Sequence, residues 1–294
     1  MPMSADAGVC QGATCLLGER SSTGGAQMAL VVNTFERTID KVLTPGFFPG
    51  IEHQNRRRFT ERILLVNNVE DPVGTRARAQ RILDDGEVTS VHFVASHIDD
   101  VLVALGLSKV EFGRLLHLTD WAFVAPFVTR SSYMLHWDAD VSLARPVDWV
   151  GAAVELLDTE PAVFCATARP TWWDPRKELI VGTRPGFALG YGFSDQMFLV
   201  RTDELRQPIY HERCPASARY PTSHICATFE QRLDSYMRRH CCYRAVYLES
   251  HFSHEGRGWY WPNSVPEGVR FVRKRLTSKA LKTWPFGSDP AWKI

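Results

Sequence analysis

The sequence has little excess charge, no long apolar run and no regular cysteine pattern. Its 34 Lys and Arg residues balance 33 Asp and Glu residues, and the formal net charge of +1 gives no sign of a nucleic acid or an acidic polymer as a partner. No segment reaches the ~20 consecutive apolar residues that a membrane-spanning helix needs. Any recognition of a charged ligand must therefore be local.

The 7 cysteines are odd in number and include no CxxC pair. Because this pattern fits neither a disulfide framework nor a zinc signature, we expect reduced cysteines in a cytoplasmic protein. The alternative is a zinc site built from His211, Cys214, His224 and Cys226.

The two ends of the chain differ in composition from the rest. The first 27 residues are rich in Gly, Ser, Ala and Thr, and they lack the charged start and apolar run of a signal peptide. We expect residues 1–27 to be a disordered leader, or sequence upstream of a true start near Met28. The tail at 269–294 is basic and carries aromatic residues. Two interpretations are open for this tail: contact with an anionic membrane surface, or a solvated basic helix.

Apolar stretches alternate with amphipathic stretches in the first part of the chain, which predicts strands alternating with helices. The predicted strands are 29–35, 63–68, 88–95, 133–143 and 162–168, and the predicted helices are 73–85, 97–120 and 147–157. The later part has a predicted strand at 197–200, a helix at 229–240, a strand at 243–248, and loop regions at 169–192 and 207–224. The alternation implies an α/β fold with a mostly parallel sheet and helices on both faces.

Polar residues follow three of the predicted strands, at Asn33-Thr34, Asn67-Asn68 and Asp138-Ala139-Asp140. Ligands of parallel sheets bind beyond the carboxyl ends of the strands, so these residues are predicted to meet in one crevice. Two aspartates at a strand end, where the chain turns, can reach one ion. Mg²⁺ and Mn²⁺ prefer oxygen ligands and leave positions for phosphate oxygens. The alternative is a pair of solvated loop aspartates.

Four stretches of the sequence resemble the GT-A glycosyltransferases, of the nucleotide-diphospho-sugar transferase superfamily. They are Val31 to Arg37, Ile63 to Asn68, Tyr133 to Leu143 and Phe193 to Arg201, and the resemblance covers about residues 29–258. It implies a GT-A type fold and transfer of a sugar from a nucleoside-diphosphate donor, of UDP, GDP or TDP type, to a hydroxyl acceptor. It also implies Mn²⁺ or Mg²⁺ at Asp138 and Asp140, where a metal would neutralise the departing diphosphate.

By this resemblance the catalytic domain spans 28–268, with a nucleotide-sugar half at 28–145 and an acceptor half at 146–268. The residues expected to line the base and ribose pocket are Asn33, Thr34, Glu36 and Asn67. Amides, hydroxyls and carboxylates suit this task, because they form hydrogen bonds with the edges of a base and with ribose hydroxyls. The alternative for each of them is simple capping of a strand end.

Glycines precede the strand predicted at 197–200, and Gly190 and Gly192 are the expected neighbours of the bound sugar or diphosphate. Glycine permits close approach of the backbone to a ligand, and an ordinary turn explains these residues equally well. Asp195 comes soon after the glycines. It is expected to bond a sugar hydroxyl or to act as a base.

Direct displacement at the sugar needs a carboxylate that deprotonates the acceptor hydroxyl. The family often supplies it from a Glu-Asp pair at the start of a helix, and the matching residues here are Glu230 and Gln231. Because glutamine cannot be the base, Glu230 is the first candidate, with Asp195 and Asp234 as alternatives. Retention of configuration by another route is also open.

Two histidines, His251 and His254, follow the last predicted strand. They resemble the C-terminal histidine of the family, which completes the metal shell or touches the diphosphate, and imidazole suits Mn²⁺. The sequence does not choose between the two. Aromatic residues are expected either to stack on sugar rings or to pack in the ordinary way: Trp172, Trp173, Trp259, Tyr260 and Trp261.

Two other functions compete with sugar transfer. Sugar-1-phosphate nucleotidyltransferases share the sheet but carry a glycine-rich phosphate loop after the first strand, and residues 33–37 contain no glycine. A non-catalytic domain that binds a sugar nucleotide or a partner protein is favoured by Gln231. The intact pair of Asp138 and Asp140 argues against it.

Overall fold

The computed structural model describes residues 27–175, 179–220, 223 and 225–254. Residues 1–26 of the leader expected over 1–27 lie outside the described residues, and so does the basic tail predicted at 269–294. The same holds for His224, Trp259, Tyr260 and Trp261. Within the described ranges, no helix is both long enough and apolar enough to cross a membrane.

Strands and helices alternate along the first part of the chain. The strands are β1 (Met28–Thr34), β2 (Glu61–Val66), β3 (Ser90–Phe93), β4 (Tyr133–Asp138), β5 (Val141–Leu143) and β6 (Val163–Pro170). The helices are α1 (Ile39–Val42), α2 (Phe47–Gln54), α3 (Pro72–Asp84), α4 (Ile98–Ala104), α5 (Asp120–Val128) and α6 (Trp149–Thr159).

The later part adds β7 (Ile180–Arg184), β8 (Phe187–Gly190), β9 (Met197–Arg201) and β10 (Tyr243–His254), with helices α7 (Thr202–Leu205) and α8 (Phe229–Arg239). Short 3-10 helices lie at Val94–Ser96, Lys109–Glu111, Gly113–Leu118, Ile209–His211 and Pro215–Arg219.

The helix predicted over 97–120 is wrong in extent. It ends after α4, where Gly106 has a φ of +67°, a conformation that residues with side chains disfavour. Ser108 and Glu111 then form a reciprocal cap on a separate 3-10 turn, and α5 begins only at Asp120.

Two further predictions differ from the structure in where strands begin and end. The strand predicted over 133–143 is two strands, because the chain turns at 139–140 between β4 and β5. The loop region predicted over 169–192 contains a hairpin of β7 and β8. Gly186, with a φ of +77°, lies in the turn of this hairpin, where glycine adopts the conformation without strain.

The ten described strands form one sheet in the order β3-β2-β1-β4-β9-β6-β10-β8-β7, with β5 paired to β10 off that path. Pairs are parallel between β1 and both β2 and β4, between β2 and β3, and between β6 and β10. Pairs are antiparallel between β9 and both β4 and β6, and between β8 and both β7 and β10. The α/β fold is confirmed, with a parallel first half. The single sheet crosses both predicted halves, and their boundary stays a prediction.

The first strand shows why the sheet is stable. All seven residues of β1 are buried, and alternate residues enter two different hydrophobic clusters. Leu30 belongs to the cluster that contains Trp149 of α6, whereas Val31 belongs to the cluster that contains Phe123 of α5. Because both faces of the strand are covered, its sequence is a continuous apolar run rather than an alternating one.

A buried arginine at the end of β9 links three elements. Arg201 is 3% exposed, and its Nη1 and Nη2 donate to the carbonyl oxygens of Leu157 at 2.6 Å and Val163 at 2.7 Å. Its Nε donates to the carboxylate of Glu204. A side chain with fewer donors would leave a buried carbonyl group or carboxylate without a partner.

We expect Arg201→Lys to lower the free energy of unfolding by about 2–4 kcal/mol. The lysine ammonium group lacks the planar fork of the guanidinium and cannot donate to all three acceptors. Urea unfolding followed by circular dichroism measures this. Arg184→Lys is the matched control, since Arg184 bonds Glu160 from Nε at 2.6 Å on the exposed surface and should shift the midpoint little. Equal losses in the two variants would contradict the role given to Arg201.

Candidate active site

β4 brings Asp138 to the carboxyl end of the sheet, between two neighbouring strands. On one side, Asn33 of β1 is its register partner in a parallel pair. On the other side β9 runs antiparallel to β4, and the amide of Asp138 donates to the carbonyl oxygen of Gln196 at 2.9 Å. The residues just before β9, including Asp195, therefore lie beside Asp138.

The last residues of β10 bring His254 to the same end. β10 is parallel to β6, but its register shifts between Tyr247 and His251. Beyond the shift, the strand pairs antiparallel with β5, and Val141 lies opposite His254. Because β5 follows Asp140 directly, this pairing sets the imidazole against the aspartates.

Asp138, Asp140 and His254 form one compact group, called here the metal group. Nε2 of His254 lies 2.9 Å from Oδ1 of Asp140 and 3.6 Å from Oδ2 of Asp138. One ligand atom of each residue lies within 4.8 Å of the other two. Two carboxylates and an imidazole are ligands that suit Mn²⁺, and the carboxylates also suit Mg²⁺. The donor set therefore fits the predicted metal.

The pKa values show that this position favours a positive charge between the carboxylates. Burial raises the pKa of Asp138, and the hydrogen bond from His254 offsets this only in part. Burial also opposes ionisation of Asp140, but the hydrogen bond and charge of His254 outweigh it, and the pKa of Asp140 is lowered. Hydrogen bonds to Asp138 and Asp140 raise the pKa of His254 to about 10.

His251 is not part of the metal group, as far as the described residues go. Its carbonyl oxygen accepts a hydrogen bond at 2.9 Å from the amide of Ala144, which continues the backbone pairing of β10. The two histidines that the sequence could not separate thus differ in position. The geometry favours His254 as the ligand.

A pair of carboxyl groups lies next to the metal group. Glu230, in the first turn of α8, accepts a hydrogen bond at 3.0 Å from the amide of Asp195, and the two side chains are also hydrogen-bonded. Burial raises the pKa of Asp195 to about 6, with a further contribution from the charge of Asp138. Burial and the neighbouring Asp195 raise the pKa of Glu230 as well. A buried pair of this kind is a candidate for acid–base chemistry.

Asp234, the third carboxylate considered as a base, is fully buried and engaged on both oxygens. Its Oδ2 accepts a hydrogen bond from Oγ of Ser217 at 2.8 Å, and its Oδ1 accepts one from Nε of Arg238 at 3.1 Å. Nε of Arg219 lies 3.8 Å from Oδ2. Asp234 therefore bonds Arg238 within α8 and lies at ion-pair distance from Arg219 of the neighbouring 3-10 turn.

The residues expected in the nucleotide pocket lie at the ends of β1 and β2. Asn33 is 6% exposed, and its Oδ1 has no hydrogen-bond partner among the described residues. The amide of Asn67 donates to the carbonyl oxygen of Thr34 at 2.8 Å, and its Nδ2 donates to Oδ1 of Asp120 at 2.7 Å. A buried amide oxygen without a partner, next to a buried Asn–Asp pair, suits a polar ligand.

Glu36 and Asp120 are two further acidic residues of this region. Glu36 is exposed, and its carboxylate accepts a hydrogen bond at 2.7 Å from the amide of Glu70. Asp120 was missed by sequence reasoning, because the predicted helix ran up to it. Its signal is a lone acidic residue at the first position of an otherwise apolar helix.

The two glycines expected near the sugar lie close to other parts of the protein. A Cβ on Gly190 would lie 2.8 Å from the carbonyl oxygen of Leu179. Gly192 has a φ of +106°, and a Cβ there would collide with Nη2 of Arg219. Both positions therefore require glycine for reasons within the protein, and contact with a sugar or diphosphate stays a prediction.

The remaining candidates from the sequence are two tryptophans, a zinc site and the cysteines. Trp173 is buried with Ala188 and Val246, whereas Trp172 is 61% exposed and offers a ring face to a ligand. The described residues form no zinc site: Nε2 of His211 lies 3.0 Å from the carbonyl oxygen of Leu105, and the metal group is the one cluster of ligating side chains found among them. The described cysteines form no disulfide with one another.

Comparison with known proteins gives distant likenesses only. No protein-family model matches the sequence, and no curated protein gives a significant match. The fold is similar to a structure of GalNAc-T7 with UDP, GalNAc and Mn²⁺, at 12% identity and a TM-score of 0.45, over 84% of this chain and 47% of that one. This chain thus spans about half the length of that protein.

Two other solved structures are similar at the same level. One is glucosyl-3-phosphoglycerate synthase from Mycobacterium tuberculosis in complex with Mn²⁺, UDP-glucose and phosphoglyceric acid, at 13% identity and a TM-score of 0.42, over 89% of this chain and 80% of that one. The other is mouse xyloside xylosyltransferase 1, at 15% identity and a TM-score of 0.36, over 61% and 69%. At these identities the likenesses concern the fold alone, and the function is argued from the chain's own site.

We expect His254→Ala to weaken Mn²⁺ binding at least about tenfold, because it removes one of three ligands from the metal group. Isothermal titration calorimetry with MnCl₂ measures the affinity. His251→Ala is the matched control, since only its backbone takes part in the pairing described above. A larger loss in His251→Ala than in His254→Ala would show that the wrong histidine has been assigned.

Proposed function

We propose that this protein is a metal-dependent glycosyltransferase of GT-A type, which moves a sugar from a nucleoside-diphosphate sugar to a hydroxyl acceptor. This proposal depends on one observation: the metal group and a buried pair of carboxyl groups lie next to each other. The metal group lies at the carboxyl end of β4, and the carboxyl pair of Asp195 and Glu230 lies beside it, close enough for the charge of Asp138 to act on Asp195.

In this proposal the donor is bound at two places. Asp138, Asp140 and His254 would hold Mn²⁺ or Mg²⁺. The bound ion supplies electrostatic stabilisation of the diphosphate as it leaves. Asn33 and Asn67 offer amide groups to the nucleoside, and the hydrogen bond from Asn67 to Asp120 holds that amide in a fixed orientation.

The transfer itself exchanges one bond for another. The acceptor oxygen forms a bond to the anomeric carbon, the bond from that carbon to the diphosphate oxygen breaks, and the hydroxyl proton passes to a carboxylate. Burial makes Glu230 and Asp195 more basic than exposed carboxylates, which favours proton transfer near neutral pH. The pair is the proposed proton acceptor: Glu230 is the first candidate from the sequence, and Asp195, whose carboxylate accepts the hydrogen bond between the two side chains, is the alternative.

The carboxyl pair also bears on the competing functions. Burying two adjacent carboxyl groups costs stability, and such pairs cluster at catalytic sites, so their presence favours an enzyme over a binding domain. Gln231, which favoured the binding domain, is buried next to Glu230 in the chain, and Glu230 alone satisfies the need for a base. The absence of glycine at 33–37 still disfavours a nucleotidyltransferase.

Donor binding is the first test of the proposal. We expect one of UDP-, GDP- or TDP-sugars to raise the melting temperature in the presence of Mn²⁺, because a ligand of the folded state stabilises it by mass action. The shift should require the metal and disappear in Asp140→Ala. Asp148→Ala, which removes a surface carboxylate paired with Arg57, is the control. A shift of equal size in EDTA would argue against metal-dependent donor binding.

The base is tested separately. We expect Glu230→Gln to lower turnover by about 10²–10⁴-fold, while donor affinity stays nearly constant, as a lost general base predicts. Release of the nucleoside diphosphate measures turnover, with water as acceptor until a better one is found. Glu212→Gln, on the exposed side of the same region, is the matched control. Unchanged turnover in Glu230→Gln together with a large loss in Asp195→Asn would move the base to Asp195.

A further inference from the structure

The strands β6 and β9 separate before they reach the carboxyl end of the sheet. Their pairing ends at Ala166 and Leu199, although β6 runs on to Pro170 and β9 begins at Met197. On either side the sheet stays paired, between β9 and β4 up to Met197 and between β6 and β10 as far as Pro170. The two halves of the sheet therefore part at the edge where ligands of such folds bind.

Arg169, the next-to-last residue of β6, lies on one side of this gap. It is partly buried, and its register partner on β10 is His251. Along β6, Cys165 belongs to the hydrophobic cluster that contains Phe229 of α8, whereas Ala168 belongs to the cluster on the opposite face. Because side chains alternate along a strand, Arg169 points to the face of the sheet on which α8 packs.

The guanidinium group of Arg169 has no hydrogen bond or ion pair with any other described residue. The acidic side chains of the site engage other groups: Asp138 and Asp140 engage His254, Asp195 and Glu230 engage each other, Asp234 engages Ser217 and Arg238, and Glu249 engages Tyr247. A partly buried charge without a counter-charge loses hydration and gains nothing in return. An anionic group of a ligand would supply the acceptors that the protein does not.

Gln196 lies on the other side of the gap, just before β9. Its carbonyl oxygen accepts a hydrogen bond at 2.9 Å from the amide of Asp138, which fixes its backbone beside the metal group. Its side-chain Oε1 is buried and has no hydrogen-bond partner among the described residues. The residue before it, Asp195, belongs to the carboxyl pair. Polar groups that lack partners in the described part of the chain thus lie on both sides of the gap, next to the carboxyl pair.

We propose that Arg169 binds an oxyanion of the acceptor substrate, a carboxylate or a phosphate. This rests on the proposed function and adds a substrate class to it: acceptors that carry both a hydroxyl and a negative charge. Position favours the acceptor over the donor diphosphate. In the sheet β6 is the second strand from β4, so the backbone of Arg169 lies about 10 Å from that of Asp138, which would hold the metal. The carboxyl pair, which would take the acceptor proton, borders the gap directly.

Phosphate binding without metal tests the site. Inorganic phosphate is titrated into the protein in EDTA and followed by phosphorus NMR. We expect Arg169→Gln to weaken phosphate binding about tenfold or more, because a charge-assisted contact is lost. Arg169→Lys should lie between the two, since lysine keeps the charge and loses the planar fork. Arg184→Gln is the matched control, because Arg184 lies on another strand of the same sheet and is paired with Glu160. Its phosphate affinity should equal that of the unchanged protein.

The melting temperature separates ligand binding from a structural role. Because Arg169 bonds no other described residue, Arg169→Gln should melt at the temperature of the unchanged protein when phosphate is absent. A lower melting temperature in both Arg169→Gln and Arg169→Lys would show that the guanidinium supports the fold, and it would overturn the proposal. Phosphate binding that is unchanged in Arg169→Gln, or missing from the unchanged protein, would overturn it as well.

Nucleotide binding separates this inference from the proposed function. UDP, GDP and TDP are compared in the presence of Mn²⁺, and we expect Arg169→Gln to keep the affinity of the unchanged protein. A loss of nucleotide binding in this variant would assign Arg169 to the donor diphosphate and overturn the acceptor site. A preference for UDP-glucuronate over UDP-glucose that disappears in Arg169→Gln would assign it to the donor sugar, also against the proposal. Phosphate binding through Arg169 in a protein that binds no nucleotide would sink the proposed function and leave the oxyanion site standing.

Discussion

The antiparallel pairing of β9 with β4 is the constraint on which the site depends. A strand parallel to β4 would begin at the opposite end of the sheet, and the residues before it would lie far from Asp138. Because β9 runs the other way, its beginning meets the end of β4, and the amide of Asp138 donates to Gln196. The metal group and the carboxyl pair are neighbours as a result, although Asp138 and Glu230 are far apart in the chain.

The pairing of β10 with β5 completes the metal group. β10 first follows β6 in parallel and then shifts register, after which its last residues pair antiparallel with β5. The strand that supplies His254 therefore crosses the segment that directly follows Asp140. The pairing of β10 with β5 is thus what brings the imidazole of His254 next to Asp138 and Asp140.

These pairings explain which residues the sequence could predict. Asp138 and Asp140 were predictable because an apolar run stops there, which is a local signal. The choice of His254 over His251 was not, because it depends on the pairing of β10 with β5 across more than a third of the chain. Asp120 was not predicted as a site residue, because its position depends on the start of α5, which the sequence did not indicate.

Charged side chains follow one another in a fixed order across the site. Asp138 acts on Asp195, Asp195 bonds Glu230, and Glu230 feels the charge of Arg219, so the carboxyl pair lies between an acidic group and a basic one. The acidic side attracts a cation, and the basic side attracts an anion. In the proposed transfer, the carboxyl pair beside the metal group is where the acceptor proton would be taken up.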